Sequence, residues 1–264
     1  MRIFIITMDD PIQTKDFIIK IIDARRSDIV GVATPKGDRL TLSKGKSKYT
    51  YILSLLLIMG FYHFFKNSII SIMHKMKKIG YKYQILSDPT ILGYAKKMGI
   101  PIFSINSPNN KQFLKQLKDL KPDIIINQSQ NILKRDLLDI PSIGVLNRHN
   151  ALLPKNRGRL TPFWVLFKGE LETGVSIHFV EDNLDSGKII VQERYHVSKK
   201  DTFNSIVKKN YQIAPLAMLK AIHLLEHGFN NFIENNDDLA TYNSTPSFKE
   251  AYQYHISKIK KMYI

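Results

Sequence analysis

The stretch that decides both fold and chemistry runs from Gly144 to Gly187 and reads GVLNRHNALLPKNRGRLTPFWVLFKGELETGVSIHFVEDNLDSG. It opens on an apolar run that predicts a strand, and this strand delivers Asn147 and His149 at its end. It closes on the turn-forming Asp185-Ser186-Gly187. Open α/β sheets hold their ligands in the crevice at the carboxyl ends of the strands. We therefore expect Asn147 and His149 to lie in such a crevice, with Asp185 beside them.

Asn147, His149 and Asp185 are the kinds of group that acyl transfer to an amine requires. A neutral imidazole relays the proton that leaves the attacking amine, a carboxylate fixes the imidazole tautomer, and a side-chain amide donates to the oxyanion. The chain has no cysteine, and no serine lies in a Gly-x-Ser-x-Gly turn. Direct transfer between two bound substrates is therefore favoured. Each residue alone also has an ordinary structural explanation, and only the combination indicates catalysis.

The residues around this stretch predict a parallel α/β sheet, because apolar, β-branched runs alternate with amphipathic segments. The predicted strands are Arg2–Thr7, Ile29–Ala33, Tyr83–Ser87, Ile100–Phe103, Pro122–Asn127 and Gly144–Asn147, and a pair of strands, Ser176–Val180 and Lys188–Tyr195, flanks the Asp185 loop. The predicted helices cover about 12–24, Pro89–Gly99, Lys111–Leu120 and Asp201–His227. No nucleotide-binding glycine fingerprint follows the first strand, so a dinucleotide cofactor is not expected.

Four motifs in order resemble the active-site half of the folate-dependent formyltransferases. They are Asn147-Arg148-His149, Leu152–Gly158 (LLPKNRG), Thr173–His178 (TGVSIH) and Asp185-Ser186-Gly187. His149 and Asp185 are 36 residues apart, as in that superfamily. Its members include methionyl-tRNA formyltransferase, phosphoribosylglycinamide formyltransferase and the sugar N-formyltransferases. The resemblance covers about 80–247. It implies a Rossmann-like open sheet with helices on both faces, mostly parallel, with an antiparallel C-terminal strand pair.

The resemblance also implies a formyl donor, 10-formyltetrahydrofolate, and the residues that bind it. The expected donor-binding residues are Gln130, Asn131, Ile132, Leu133, Val180, Asp182 and Leu184. The catalytic set would be Asn147, His149 and Asp185. Pro154 and Arg157 are expected to contact the acceptor, with pinning of their own loop as the alternative for Arg157. No metal ion is implied.

The acceptor amine is inferred by elimination. Methionyl-tRNA formyltransferases carry a C-terminal barrel of about a hundred residues, for which this sequence has no room, and phosphoribosylglycinamide formyltransferases carry a phosphate-binding glycine loop that it lacks. An aminosugar linked to a nucleotide or a lipid is therefore the expected acceptor, and initiator tRNA is the alternative. A catalytically inactive folate- or membrane-binding relative is a further alternative, although such a protein would not need the intact catalytic set.

The composition agrees with an anionic partner. A formal net charge of +16 favours nucleotide sugars, nucleic acid, polyglutamylated folate or an anionic membrane, with a generally lysine-rich proteome as the alternative explanation. The absence of cysteine excludes disulfides, a thiol nucleophile and a cysteine-based zinc site. No cleavage-site pattern follows Met1-Arg2, so a cytoplasmic location is expected, with peripheral contact at the inner membrane face as an alternative. The sequence does not indicate an oligomeric state.

Residues 39–87 depart from the family pattern. They contain nine lysine or arginine residues and no acidic residue, and Tyr51–Phe65 is almost wholly apolar. These fifteen residues fall short of the roughly twenty needed to span a bilayer. Helices packed on the sheet, with lysines that extend to solvent, are the favoured interpretation. Membrane-interface contact through 51–76 and contact with nucleic acid are the alternatives.

We expect a single catalytic domain over 1–228, into which 39–87 is inserted as a basic, apolar-rich helical segment. Residues 229–264 are expected to be a short C-terminal extension that forms no separate globular domain. Phe163 and Trp164 are predicted to lie in the core, and His178 to be structural.

Overall fold

The computed structural model describes residues 1–36 and 47–262, with side chains to Ile259. Arg39, Lys44 and Lys46 of the basic segment lie outside the described residues. The described strands are β1 (Ile3–Thr7), β2 (Ile29–Pro35), β3 (Ile102–Ile105), β4 (Ile124–Gln128), β5 (Gly144–His149), β6 (Arg157–Gly158), β7 (Glu172–Phe179), β8 (Ile189–His196) and β9 (Tyr242–Asn243). The described helices are α1 (Thr14–Arg25), α2 (Lys48–Met59), α3 (Phe61–Lys82), α4 (Ile91–Lys97), α5 (Lys111–Asp119), α6 (Arg135–Leu138), α7 (Thr161–Phe167), α8 (Phe203–Glu226) and α9 (Phe248–Met262).

Seven strands form one mixed sheet in the order β3-β2-β1-β4-β5-β7-β8. Strands β1 to β5 pair in parallel, whereas β7 runs antiparallel to β5 and to β8. This arrangement confirms the predicted fold class. Because parallel strands end at the same edge of a sheet, the carboxyl ends of β1, β4 and β5 lie side by side. We call this edge the carboxyl edge.

The sheet is covered on both faces, which explains why β1 is buried along its whole length. One face packs against α1, α4 and α8, through side chains such as Phe17, Ile91 and Met218. The other face packs against α5 and α6, through Phe113 and Leu137. Each such apolar side chain contributes about 1.5–3 kcal/mol when it is fully buried.

A separate apolar cluster joins α2, α7, α9 and the first turns of α8. Its buried members include Ile58, Phe163, Trp164 and Tyr254. The core positions predicted for Phe163 and Trp164 are thereby confirmed. Because Tyr254 belongs to α9, the C-terminal extension packs against the rest of the protein in this cluster.

Two expectations for the basic segment are wrong. Residues 83–87 form turns instead of a strand, because the backbone N–H groups of Ile85 and Leu86 both donate to Gly80 O and close the end of α3. The interpretation that the segment packs in the core is right for Ile58 in α2, which is buried. It is wrong for α3, because His74 is the only residue of that helix that is buried. Within the described ranges, no helix is both long enough and apolar enough to cross a membrane.

Candidate active site

Strand β5 brings Asn147 and His149 to the carboxyl edge. Its antiparallel pairing with β7 sets Asn147 opposite His178 and His149 opposite Ser176. The turn after β7 then returns Asp185 to the same place, so two stretches distant in sequence contribute to one polar cluster. His149 and His178 are 5% and 1% exposed, so this cluster is largely shielded from solvent.

His149 is held from both sides of its ring. Its Nε2 donates to the backbone carbonyl of Asn156 at 2.8 Å, and its Nδ1 lies 3.5 Å from Oδ2 of Asp185. A carbonyl oxygen can only accept, so Nε2 carries the hydrogen and Nδ1 is the basic nitrogen of the neutral ring. The proton-accepting atom of His149 therefore faces a carboxylate.

Asp185 is fixed by its backbone and by its neighbours. It adopts a left-handed conformation with φ of 52°, its Oδ2 accepts from the backbone N–H of Gly158 at 2.9 Å, and its carbonyl accepts from Asn235 Nδ2 at 2.8 Å. Burial opposes ionisation of the carboxyl. The nearby His149 and His178, together with the Gly158 N–H, outweigh this effect and lower the pKa of Asp185 below its ordinary value. Asp185 is thus an anion at neutral pH.

His178 is buried, as expected for a structural residue, yet it belongs to the site. Its Nδ1 donates to the Phe179 carbonyl at 2.7 Å, and its Nε2 lies 3.3 Å from Asn147 Nδ2 and 3.8 Å from Asp185 Oδ1. Burial is the largest cause that lowers the pKa of His178, to about 4. The neutral ring therefore accepts a hydrogen bond from the Asn147 amide.

The orientation of Asn147 is also set from its other side by a chain of buried groups. Gln128 Nε2 donates to Asn147 Oδ1 at 3.0 Å, and Arg148 Nε donates to Gln128 Oε1 at 2.9 Å. Arg148 in turn donates to the hydroxyl of Tyr211 and stacks over its ring. These hydrogen bonds fix which atom of each side-chain amide is the donor and which is the acceptor. Sequence analysis did not single out Gln128, although its place at the carboxyl end of β4 was a usable signal.

The prediction that Arg157 contacts the acceptor substrate is wrong. Its side chain is 0% exposed, and its guanidinium donates to Asp237 Oδ1, to the Tyr242 hydroxyl, and to both the carbonyl and Oδ1 of Asn235. These partners all belong to the C-terminal extension. Arg157 therefore pins its loop to the extension, which was the alternative drawn from the sequence. Pro154 follows a cis peptide bond and is half-buried, and its acceptor contact stays a prediction.

The extension reaches the site through Asn235, a residue that sequence analysis missed. Asn235 accepts from Arg157 and donates through Nδ2 to the carbonyls of Asp185 and Gly187 at 2.8 and 2.9 Å. It thus holds the turn that carries the candidate catalytic carboxylate. Its position in an asparagine-rich stretch gave no signal that would separate it from its neighbours.

The two predicted donor-binding segments lie next to each other. Arg135 Nη1 is 3.4 Å from Asp182 Oδ2, and Leu133 and Val180 pack in the same apolar cluster. Asn109 holds the first segment by donating to the Ile132 carbonyl at 2.8 Å. Of the predicted residues, five are exposed, Val180 is half-buried and Leu133 is buried; the exposed ones are Gln130, Asn131, Ile132, Asp182 and Leu184.

The described residues contain no group of histidine, cysteine and acidic side chains that could hold a metal ion.

Comparison with curated proteins gives relatives of two kinds. The methionyl-tRNA formyltransferase of Kosmotoga olearia is 34% identical over 149 residues, which are 56% of this chain and 48% of that protein. The bifunctional polymyxin resistance protein ArnA of Wigglesworthia glossinidia brevipalpis is 36% identical over 147 residues, which are 55% of this chain and 22% of that protein. The chain thus spans about half, or less, of the length of these relatives.

Among solved structures, the N-formyltransferase from Helicobacter canadensis, in complex with folinic acid and dTDP-3-aminofucose, matches with a TM-score of 0.60. The match covers 100% of this chain and 82% of that one at 17% identity, which shows the fold. Residues 64–222 match the family model described as Formyl transferase. Since this match extends over more than half of the sequence and agrees with the fold, the chain belongs to the formyl transferase family.

Proposed function

We propose that this protein transfers a formyl group from 10-formyltetrahydrofolate to the primary amine of an aminosugar linked to a nucleotide or a lipid. The observation that carries the proposal is the largely shielded cluster at the carboxyl edge, in which Asp185 lies beside His149 and His178, and Asn147 contacts His178. The Helicobacter canadensis enzyme, bound to folinic acid and an aminosugar nucleotide, supports the donor and the acceptor class.

His149 receives the proton that the attacking amine loses. Its Nε2–H is committed to the Asn156 carbonyl, so Nδ1 is the accepting atom. Asp185, 3.5 Å from Nδ1, stabilises the imidazolium that results. In the overall reaction a C–N bond to the acceptor forms, the C–N bond to the donor breaks, and the proton passes through His149 to the leaving nitrogen. General acid–base catalysis of this kind contributes about 10²- to 10⁴-fold.

Asn147 donates to the oxygen that gains negative charge during transfer. One hydrogen of its Nδ2 points to His178 Nε2, so the second remains for the substrate oxygen. Because Gln128 and His178 hold both ends of the amide, the donor needs no reorientation when the charge develops. Such a preorganised donor contributes on the order of 3 kcal/mol to transition-state stabilisation.

The formyl donor supplies the transferred carbon, and the adjacent 130–133 and 180–184 segments are our candidates for holding its ring system. Ile132 is 84% exposed to solvent and Leu184 is 61% exposed. The polar residues Gln130 and Asn131 are exposed beside Ile132. Apolar walls with a few polar groups are typical of small-molecule sites. We infer that these segments hold the donor.

The second candidate acceptor is aminoacylated initiator tRNA. It is favoured by the 34% identity with a methionyl-tRNA formyltransferase. The net charge of +16 would also suit an RNA phosphate backbone. The same Asn147, His149 and Asp185 would act on either amine, so only the acceptor distinguishes the two proposals.

The test is a transfer assay with 10-formyltetrahydrofolate and a panel of acceptors, namely nucleotide-linked aminosugars and methionylated initiator tRNA. We expect turnover with an aminosugar, and a loss of about 100-fold or more in His149→Gln. His196→Gln is the matched control, because His196 is exposed at the end of β8. Turnover with tRNA alone would replace the sugar proposal with the tRNA one. Folate binding without any turnover would favour an inactive binding protein.

A further inference from the structure

Helix α3 turns its apolar side away from the protein. Seven large apolar side chains recur along it at helical spacing and are between 44% and 73% exposed: Phe61, Phe65, Ile69, Ile72, Met73, Met76 and Ile79. We call these seven residues the apolar stripe. A surface helix normally buries such a stripe against the core. Here the described residues leave it uncovered.

The opposite side of α3 is mostly polar, with the half-buried Phe64 and Ile70 as exceptions, and it is the side that contacts the protein. His74 is buried, its Nε2 lies 3.0 Å from Oδ2 of Asp9, and Lys78 Nζ donates to the same oxygen at 3.0 Å. Asp9 follows the end of β1. These contacts hold α3 at the carboxyl edge, where β5 ends at His149, and fix the apolar stripe on the outside.

The charged side chains of the segment that carries the apolar stripe are all positive. Residues 47–87 contain six lysines and no acidic residue. At 3.6 residues per turn, Lys66 and Lys77 follow one long edge of the stripe, and Lys75 and Lys82 follow the other. All four are exposed. The apolar stripe thus lies between two rows of lysines. Such a helix face is complementary to a surface whose outer layer is anionic and whose next layer is apolar.

We propose that α3 docks this protein on the surface of an anionic lipid bilayer. The apolar stripe enters the boundary between head groups and acyl chains, and the flanking lysines lie against lipid phosphates. The helix has 22 residues, which gives a contact about 33 Å long. It lies in the plane of the membrane, because five lysines distributed within it oppose a spanning orientation.

Two other occupants suit the apolar stripe less well. Pairing of α3 with a second copy would bring lysine rows together, and 47–87 offers no carboxylate to separate them. RNA would attract the lysines, and the rings of Phe61 and Phe65 offer it stacking faces. The other five residues of the stripe are isoleucine or methionine and give it neither hydrogen bonds nor stacking faces. The inference goes beyond the proposed reaction and does not depend on the acceptor, since docking uses none of the candidate catalytic residues.

The test is vesicle flotation of the full chain, with vesicles of phosphatidylcholine alone or mixed with phosphatidylglycerol. We expect flotation with the mixed vesicles and at least about tenfold weaker binding of the double variant Ile72→Gln/Met76→Gln, because two apolar side chains no longer enter the membrane. The matched control is Leu171→Gln/Leu216→Gln, whose residues are 70% and 71% exposed on other elements. This control should bind as the wild type does.

Three results would overturn the proposal. They are absence of the wild-type protein from the floating fraction, equal flotation of both double variants, or a concentration-dependent dimer that Ile72→Gln/Met76→Gln abolishes. The last result, measured by light scattering, would assign the apolar stripe to a second copy. Flotation needs neither donor nor acceptor, so its failure is distinct from failure of the proposed formyl transfer. Added salt should weaken wild-type binding, because the lysines contribute through screened charges.

Discussion

At the scale of single residues, His178 gives the stability of the protein a pH dependence. Its pKa is about 4 in the folded protein, chiefly because of burial, and it would titrate near its ordinary value of about 6.5 when unfolded. Between these values the unfolded chain binds a proton that the folded protein does not. The free energy of unfolding should therefore rise with pH from about 4 to about 6.5, by at most about 1.4 kcal/mol per pH unit for this one group.

Urea unfolding at several pH values measures this slope. The variant His178→Gln should show a shallower slope across the window, whereas the exposed His196→Gln should leave the slope unchanged. Asp185 contributes mainly below this window, because its pKa in the folded protein is lowered from an ordinary value that lies near the lower end of the window. Parallel pH profiles for the wild type and His178→Gln would contradict the expectation.

The residue scale also shows what the sequence could and could not indicate about the site. Asn147, His149 and Asp185 were found because their motifs are ordered along one short stretch, and the structure brings them together. Gln128 and Asn235 were missed because their contacts depend on pairings between distant segments. Periodicity and spacing carry no information about such pairings.

At the scale of elements, the short parallel pair β6–β9 depends on Arg157. The Arg157 N–H donates to the Thr241 carbonyl, and its buried guanidinium holds Asn235 and Tyr242. Replacement by alanine would remove the donor to the carbonyl and Oδ1 of the buried Asn235 and leave both oxygens unsatisfied. We expect Arg157→Ala to lower the free energy of unfolding by about 2–4 kcal/mol.

Chemical denaturation of Arg157→Ala tests this expectation, with Lys155→Ala as the control in the same loop. Lys155 is exposed, so its replacement should change the free energy of unfolding by less than about 0.5 kcal/mol. Equal stability of the two variants would show that Arg157 does not hold the extension, and would reopen a direct contact with the acceptor.

Elements were predictable where hydrophobic periodicity was strong. The strands and helices around the sheet occur close to their predicted bounds, since buried β-branched runs and amphipathic spacing are both local signals. Residues 83–87 were assigned to a strand on the same apolar signal, although bonds to Gly80 O close a turn there. The amphipathic pattern of α3 was visible in the sequence, but periodicity does not say whether an apolar side faces a core or an outside surface.

At the scale of the whole molecule, the two apolar cores share α8. The first turns of α8 contribute Phe203 to the cluster that contains Tyr254, and its later turns contribute Met218 to the main sheet core. The helix has 24 residues and extends about 36 Å across both. Neither core can lose its contacts without exposing part of the helix that the other core needs. We therefore expect residues 1–228 and the C-terminal extension to unfold as one cooperative unit.

Trp164 makes this expectation measurable. It is the only tryptophan, it is buried in the cluster with Tyr254, and its Nε1 donates to the Ser244 carbonyl at 2.9 Å. Its fluorescence reports this cluster, whereas far-ultraviolet circular dichroism reports all helices. The two urea transitions should coincide. Tyr254→Ala should lower the free energy of unfolding by about 3–5 kcal/mol and shift both transitions together. A fluorescence transition at lower urea than the dichroism transition would instead mean that the extension and its partner helices form a separate unit, because only the contacts around Trp164 would then be lost first.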